Sequence, residues 1–410
     1  MANWQIKGSL FLNYFVFAIL LNSVGTVILQ VQGNYGISES SASILEAFKD
    51  LTIAAVSFVI ASYVVRIGYK KSMLAALAFV TVACLLMATF PSFDRAKLLF
   101  AAVGASFALI KVSVYATIGL VTDNDKDHAS FMNFIESFFM VGIMAGGFIF
   151  TAFVDDSNKL STTWVKSYYI LAVLTSLAFI LLSMSTLDES KIKVEASKPL
   201  TQDFAEMLKL AILPIVMVFI ASVFLYVLIE QSIMSWLPTF NNKVLNLPTS
   251  LSIQMATILP AATAIGRFFA GIMLRKYHWY IVLTVCLIAA GGLVLVAIPL
   301  AQNIGTQPVT SWSNAPLAAF IFPLIGLLIA PIYPAINSQI LSSLPVQKHA
   351  TMTGLIVIFS ALGGTLGSRI TGTIFEHFGG QSAFYFSLIP LSILIICLFF
   401  FNKIVKKSLI

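Results

Sequence analysis

Charged residues, cysteines and recognisable catalytic motifs are all scarce in this sequence. Only 10% of the 410 residues are Asp, Glu, Lys or Arg, whereas soluble globular chains carry about 25%. This scarcity excludes a soluble globular protein. The three cysteines lie singly inside apolar runs, without metal-ligand spacing or a disulfide pattern: Cys84, Cys286 and Cys397. There is no Gly-rich phosphate loop, no H-E-x-x-H motif and no evident Ser/His/Asp arrangement, so we expect no cofactor, no metal and no enzymatic activity.

Long apolar runs are what the sequence has instead. Hydrophobic residues make up 59% of the chain, and the mean hydropathy is +0.95. The runs are unbroken rather than alternating in polarity, which favours helices over a barrel. At about 20 residues per crossing, the chain holds roughly a dozen spans. We predict an all-α membrane protein with twelve transmembrane helices, at residues 8–32, 41–65, 72–90, 96–121, 129–153, 163–186, 209–236, 248–275, 279–300, 312–339, 348–374 and 381–403.

Basic residues are distributed unequally between the two sides of these spans. Fifteen of the 24 Lys and Arg fall on the side of both termini, four fall within spans, and five fall on the other side: Arg95, Lys97, Lys159, Lys166 and Lys243. Short cytoplasmic loops collect Lys and Arg. We therefore expect both termini to be cytoplasmic, in a bacterial inner membrane. The net charge of +7 is explained by these loops, so we expect no nucleic-acid partner.

The longest polar connection lies at the midpoint of the chain. It suggests an N-terminal bundle at 1–187, a cytoplasmic linker at 188–208 and a C-terminal bundle at 209–410, as expected for two parallel repeats. Weak sequence similarity between pairs of segments agrees with two homologous halves. The paired segments are 128–132 with 349–353, Gly146-Gly147 with Gly363-Gly364, and 66–71 with 275–278.

Two motifs make the chain similar to the major facilitator superfamily over its whole length. The basic turn Arg66-Ile67-Gly68-Tyr69-Lys70-Lys71 resembles the family's loop 2–3 signature, although the usual acid falls near Val65. Gly266-Arg267, with Gly271, resembles the family's eighth span. The resemblance implies two pseudo-symmetric six-helix bundles, transport by alternating access and a monomer.

Three further segments resemble the fucose:proton symporter branch and its TsgA-like relatives. They are Asn22-Ser23-Val24-Gly25-Thr26, Gly68-Tyr69-Lys70 and Glu136-Ser137-Phe138. That branch usually carries an Asp in span one and a Glu in span four, for proton coupling and sugar binding. The corresponding positions here are Thr26 and Lys111, which argues against neutral-sugar symport by the usual residues.

Eight ionisable residues fall within the predicted spans. An intramembrane charge costs at least about 2.5–3.5 kcal/mol, so such residues normally face a cavity or a partner. The eight are Glu46, Lys49, Asp50, Lys111, Glu136, Glu230, Arg267 and Arg369. Glu46 and Asp50 lie one helical turn apart beside Lys49, which suggests a titratable, proton-coupled site. The alternative is that this turn lies at the water interface.

Lys111 lies in the middle of an apolar span, where a lysine needs an acidic partner or an anionic ligand. Glu136 is the candidate partner, and a purely structural ion pair is the alternative. Arg369 has the fork geometry that suits a carboxylate or a phosphate. We therefore assign Lys111 and Arg369 to substrate binding.

The remaining assignments follow from position and polarity. We expect Glu136 and Glu230, like Glu46 and Asp50, to serve proton coupling, although Glu230 could simply be solvated. Lys49, Arg66 and Arg267 are assigned to gating or structure. Uncharged polar residues complete the predicted substrate site, with interhelical hydrogen bonding as the alternative: Asn22, Thr26, Tyr115, Asn133, Tyr226, Tyr333 and Asn337.

Together these features predict a secondary transporter for a small anionic or zwitterionic solute, with the proton as the coupling ion. Three alternatives stay open at this point: a neutral-sugar:proton symporter, a multidrug exporter, and a non-transporting membrane sensor or enzyme. The sequence indicates neither the identity of the solute nor the direction of its movement.

Overall fold

The computed structural model describes residues 2–122, 125–189, 200–301, 309–344 and 349–408. The described residues are overwhelmingly helical and contain no strand. Eleven helical segments among them are long and apolar enough to cross a membrane. They are Trp4–Tyr35, Tyr69–Thr89, Phe93–Ile118, Phe134–Thr151, Thr163–Met184, Pro214–Lys243, Thr249–Lys276, Trp279–Leu300, Ala318–Ile340, Met352–Tyr385 and Leu388–Val405.

The second predicted span corresponds to a helix outside those eleven segments. This helix covers Ile44–Ile67 and is 24 residues long. It carries four charged residues, Glu46, Lys49, Asp50 and Arg66. The all-helical membrane fold predicted from the sequence is confirmed.

The chain forms two compact units. The first unit consists of Met1–Val24 and Phe48–Leu200. Its helices are α1 (Ala2–Asn22), most of α4 (Ile44–Ile67), α5 (Tyr69–Thr89), α6 (Phe93–Val121), α7 (Asp125–Thr151) and α8 (Ser167–Met184). Within this unit α7 packs along α1, and α5 packs against both α6 and α8.

The second unit consists of Gly25–Ala47 and Thr201–Ile410. It therefore includes the second half of the first predicted span. Its helices are α2 (Val24–Tyr35), α3 (Glu39–Ala42), α9 (Leu200–Ala211), α10 (Pro214–Met234), α11 (Leu237–Lys243), α12 (Thr249–Ala256), α13 (Ile258–Lys276), α14 (Trp279–Leu300), α15 (Ala318–Ile321), α16 (Ile325–Ile329), α17 (Ile332–Ser342), α18 (His349–Tyr385) and α19 (Leu388–Ser408). Helix α18 packs along α10 and also contacts α3.

Several spans are interrupted rather than straight. Span one breaks at Ser23, whose hydroxyl donates to the carbonyl of Leu20. Span ten is divided into short helical pieces around Pro323 and Pro331, since proline supplies no backbone N–H to the helix. Its helical part begins at Ala318 and not at the predicted residue 312. Helix α18 bends at Gly379, where φ is +82°.

Glycines bring helices into contact at equivalent places in the two units. A Cβ atom at Gly142 would lie 2.6 Å from the carbonyl oxygen of Phe15 on α1. One at Gly363, 221 positions later, would lie 2.4 Å from the carbonyl oxygen of Phe224 on α10. Gly146 and Gly367, which are also 221 positions apart, make the next contacts along α7 and α18. These contacts pair Gly142 with Gly363 and Gly146 with Gly367, so the predicted pairing of Gly146-Gly147 with Gly363-Gly364 is displaced by four residues, about one helical turn.

A carboxylate supports the basic turn between α4 and α5. Glu189 accepts a hydrogen bond from the backbone N–H of Lys70, at 2.8 Å, in the first turn of α5. The ammonium of Lys70 donates to the carbonyls of Ser183 and Ser185. Gly68 has φ +94°, a conformation that favours glycine. Glu189 thus places negative charge at a helix N-terminus, where the helix dipole stabilises it.

Candidate functional site

The first unit brings Lys111, Tyr115 and Glu136 together between α6 and α7. Lys111 and Tyr115 lie one turn apart on α6, and the Tyr115 hydroxyl donates to Glu136 Oε1 at 2.6 Å. Lys111 Nζ lies 6.0 Å from the centroid of the Tyr115 ring and 5.9 Å from that of Phe107. All three polar side chains are half-buried. The predicted substrate lysine and the predicted coupling acid thus share one aromatic-lined cluster.

Tyr14 of α1 belongs to the same cluster, although the sequence analysis did not select it. Its ring lies 6.1 Å from that of Tyr115 and 5.6 Å from that of Phe139, and the residue is 1% exposed. A single tyrosine within an apolar run gives no signal in the sequence. In the second unit, the rings of Tyr226 and Tyr333 lie 5.5 Å apart.

The second unit has a corresponding polar cluster around Tyr226. The Tyr226 hydroxyl donates to Glu230 Oε1 at 2.8 Å, one turn further along α10. The Tyr333 hydroxyl lies 3.4 Å from Ser360 Oγ. Arg267 is an electrostatic neighbour of Tyr226, and its Nε is buried without a hydrogen-bond partner. Asn337 Oδ1 is also buried and unbonded. These two atoms retain hydrogen-bonding capacity.

The three charged residues at the start of α4 are all buried. Glu46 is 0% exposed, Lys49 is 3% exposed and Asp50 is 7% exposed. Lys49 Nζ lies 3.5 Å from Asp50 Oδ1, and Glu46 accepts a hydrogen bond from Ser235 Oγ at 2.7 Å. Buried charges persist only when such partners compensate for lost hydration. The sequence analysis missed Ser235, since a serine far away in the chain gives no signal.

Arg369 lies elsewhere in the second unit, against the Gly25–Ala47 segment. It donates to the backbone carbonyl of Ser40, and it is exposed. The Ser40 N–H donates to Glu376 Oε2 at 2.9 Å. Lys243 forms an ion pair with Glu39 in the same region. These polar contacts, together with the Glu46–Ser235 hydrogen bond, fix the segment to its unit.

The other predicted residues are individually placed. Asn22 donates to the carbonyl of Ala18, which is local helix bonding, and Thr26 is buried on α2. Arg66 is exposed at the end of α4. The side chain of Asn133 lies outside the described residues.

The sequence profile of the Major Facilitator Superfamily matches residues 10–368. The MFS transporter asaE of Aspergillus flavus is 30% identical over 133 residues, which are 32% of this chain and 27% of that protein. The match thus spans about a quarter of that relative's length.

Solved structures with this fold are transporters of several kinds. A bacterial homolog of the human lysosomal transporter Spinster, inward-facing and occupied, aligns with TM-score 0.77, 13% identity and coverage of 98% of this chain and 97% of that one. The D-xylose-proton symporter aligns with TM-score 0.71, 13% identity and 97% coverage of both chains. FucP in the outward conformation aligns with TM-score 0.63, 14% identity and coverage of 98% and 99%. The family match over most of the sequence establishes the chain as a member of the Major Facilitator Superfamily, an integral multi-pass membrane protein.

Proposed function

We propose that this transporter moves a small anionic or zwitterionic solute by proton-coupled alternating access. The observation that carries the proposal is the cluster of Lys111, Tyr115 and Glu136. Ionisable residues at membrane depth mark substrate and proton pathways. The solute would supply a carboxylate or phosphate to Lys111, and Glu136 would exchange the proton.

The second unit has polar groups of its own that could bind a solute. Arg267 Nε and Asn337 Oδ1 are buried and unbonded. Arg267 Nε could therefore donate a hydrogen bond to a solute, and Asn337 Oδ1 could accept one. The rings of Tyr226 and Tyr333 would line the site. Glu230, held by Tyr226, would be a second proton-exchanging group. Arg267 would then act in recognition, in addition to the gating or structural role inferred from the sequence.

Coupling would also involve α4. Glu46 and Asp50 lie one turn apart with Lys49 between them, and all three are buried. Protonation of either carboxylate changes the net charge of this turn. That change would alter the hydrogen bond that the Ser235 hydroxyl donates to Glu46.

The proposed organisation follows the sequence repeat. Residues 1–187 and 209–410 would be the two bundles of a monomer, and 188–208 would be a cytoplasmic linker. Both termini would face the cytoplasm of a bacterial cell.

The fold itself does not select the solute. Similar structures include the nucleoside transporter NupG, the D-xylose-proton symporter and a POT family transporter in complex with 5-aminolevulinic acid. These resemblances are at 13–14% identity, so the substrate class is argued from the residues of this chain. Neutral-sugar symport of the fucose type is the second candidate, since FucP shares the fold.

Ligand-dependent thermal stability tests the proposal directly. Purified protein is heated with sugars, nucleosides, amino acids and organic acids, because a bound solute stabilises the folded state by mass action. An anionic or zwitterionic solute is expected to stabilise the wild type and Lys111→Arg, but not Lys111→Ala. Tyr115→Phe, which keeps the ring and removes the hydroxyl, is expected to retain binding and to alter the pH dependence of uptake into proteoliposomes. Stabilisation of wild type and Lys111→Ala alike by neutral sugars alone would support the second candidate instead.

A further inference from the structure

The first unit has an apolar groove on the surface formed by α4, α5 and α6. The groove has a volume of about 460 Å³. Small side chains form its floor, among them Ala83, Ala102 and Ala105. Larger side chains form its walls, where Val82, Leu86 and Leu98 are 55%, 50% and 66% exposed. In a membrane, an exposed apolar concavity of this kind is filled by hydrocarbon.

The groove follows the axis of α6 and ends at a cation. Arg95, in the first turn of α6, lines one end, and Ala105 lines the groove ten residues further on. At 1.5 Å per residue this separation is about 15 Å. Much of one acyl chain fits along that length, with its glycerol end at Arg95.

The Arg95 guanidinium is held in place but keeps donors free. One N–H group donates to the carbonyl of Phe90 at 2.6 Å, and the cation lies 5.2 Å from the centroid of the Phe90 ring. A guanidinium has five N–H donors in a fixed fork that matches phosphate oxygens. Lys97, two residues further on, is paired with Asp94 at 2.9 Å. Among the described residues, no carboxylate forms an ion pair with Arg95.

We propose that this groove binds an anionic phospholipid. One acyl chain lies along α6 between the walls of α5 and α6, and the headgroup phosphate accepts hydrogen bonds from Arg95. The apolar groove selects a lipid over a soluble phosphate, and the unpaired cation favours a headgroup with net negative charge. This site is separate from the Lys111 cluster and does not depend on the transported solute.

Lipid titration of the purified protein tests the proposal. Native mass spectrometry in detergent records bound lipid against concentration, using phosphatidylglycerol and phosphatidylcholine with the same acyl chains. The variants are Arg95→Gln, which removes the cation, and Ala83→Leu, which fills the floor. Lys166→Gln is the matched control, because Lys166 is an exposed cation of the same unit outside the groove.

The expected result is tighter retention of phosphatidylglycerol by the wild type and by Lys166→Gln. Arg95→Gln is expected to weaken phosphatidylglycerol binding about tenfold, since a charge-assisted bond to phosphate is lost, and to weaken phosphatidylcholine binding less, because its choline already compensates the phosphate charge. Ala83→Leu is expected to weaken both lipids. Equal binding of the two lipids by the wild type would overturn the proposal, and so would a preference that survives in Arg95→Gln. If Ala83→Leu does not fold, the Arg95→Gln comparison decides alone.

Discussion

At the scale of single residues, four glycines control how closely helices approach. Gly142 and Gly146 lie against α1, and Gly363 and Gly367 lie against α10. In lipid the hydrophobic effect does not drive helices together, so close van der Waals packing carries more of the association energy. A side chain at any of the four positions would enter the space that a neighbouring helix occupies.

Gly363→Ala is therefore expected to destabilise the protein by about 1–3 kcal/mol, the usual cost of overpacking. The added Cβ would meet the Phe224 carbonyl oxygen at 2.4 Å. The measurement is the thermal unfolding midpoint in detergent. Gly292→Ala is the control, because no atom lies within 4 Å of its added Cβ. That variant gains helix propensity and should be unchanged or slightly more stable. Equal destabilisation of both variants would contradict the close-packing argument.

At the scale of elements, α2 and α3 belong to the second unit although they follow α1 directly. The ion pair between Glu39 of α3 and Lys243 of α11 is part of what holds them there. The two side chains are 17% and 38% exposed, so solvent screens much of their attraction.

A double-mutant cycle on Glu39 and Lys243 should give a coupling free energy of about 0.5–1 kcal/mol. Glu39→Lys and Lys243→Glu are each expected to lower the unfolding midpoint, and the double reversal should restore part of the loss. The same cycle on Asp94 and Lys97, an exposed pair within one helix, should give less. A coupling of zero at Glu39 and Lys243 would show that other contacts hold the segment.

The elements differ in how well the sequence predicts them. Long apolar runs produce the spans, so Trp279–Leu300 was predicted to the residue. The break at Ser23 was not predicted, because it lies inside a continuous apolar run. Gly25, beside the break, lies where a Cβ would be 2.8 Å from the carbonyl oxygen of Ser235. No local pattern contains that contact.

At the scale of the whole molecule, the proposed topology rests on the distribution of Lys and Arg. Leu160, in the connection between α7 and α8, is 71% exposed, and Lys276, at the end of α13, is also exposed. The proposed topology puts these positions on opposite sides of the membrane.

Cysteine labelling in intact cells tests that arrangement. The native cysteines are first replaced by serine, and Leu160→Cys and Lys276→Cys are introduced separately. A membrane-impermeant maleimide is expected to label Leu160→Cys in intact cells and Lys276→Cys only after permeabilisation. The reverse pattern would invert the topology and place both termini outside the cytoplasm.

The candidate site was only partly predictable for a related reason. Charge inside an apolar span is visible in sequence, which is why Lys111, Glu136 and Glu230 could be selected. The partner of each charge depends on neighbouring helices, so Tyr14 and Ser235 gave no signal. Arg369 has the appropriate chemistry, but its contact with the Ser40 carbonyl depends on where α3 lies.

The assignment of Gly25–Ala47 to the second unit has a consequence for expressing the protein in pieces. A fragment of residues 200–410 produced alone would lack α2 and α3, leaving uncovered the surface around Ser235 and Gly372 that this segment contacts. Such a fragment should aggregate or be degraded, and co-expression with residues 1–189 should rescue it. The two pieces are therefore expected to be recovered together by affinity purification through a tag on either one, as a complementing pair and not as independent domains.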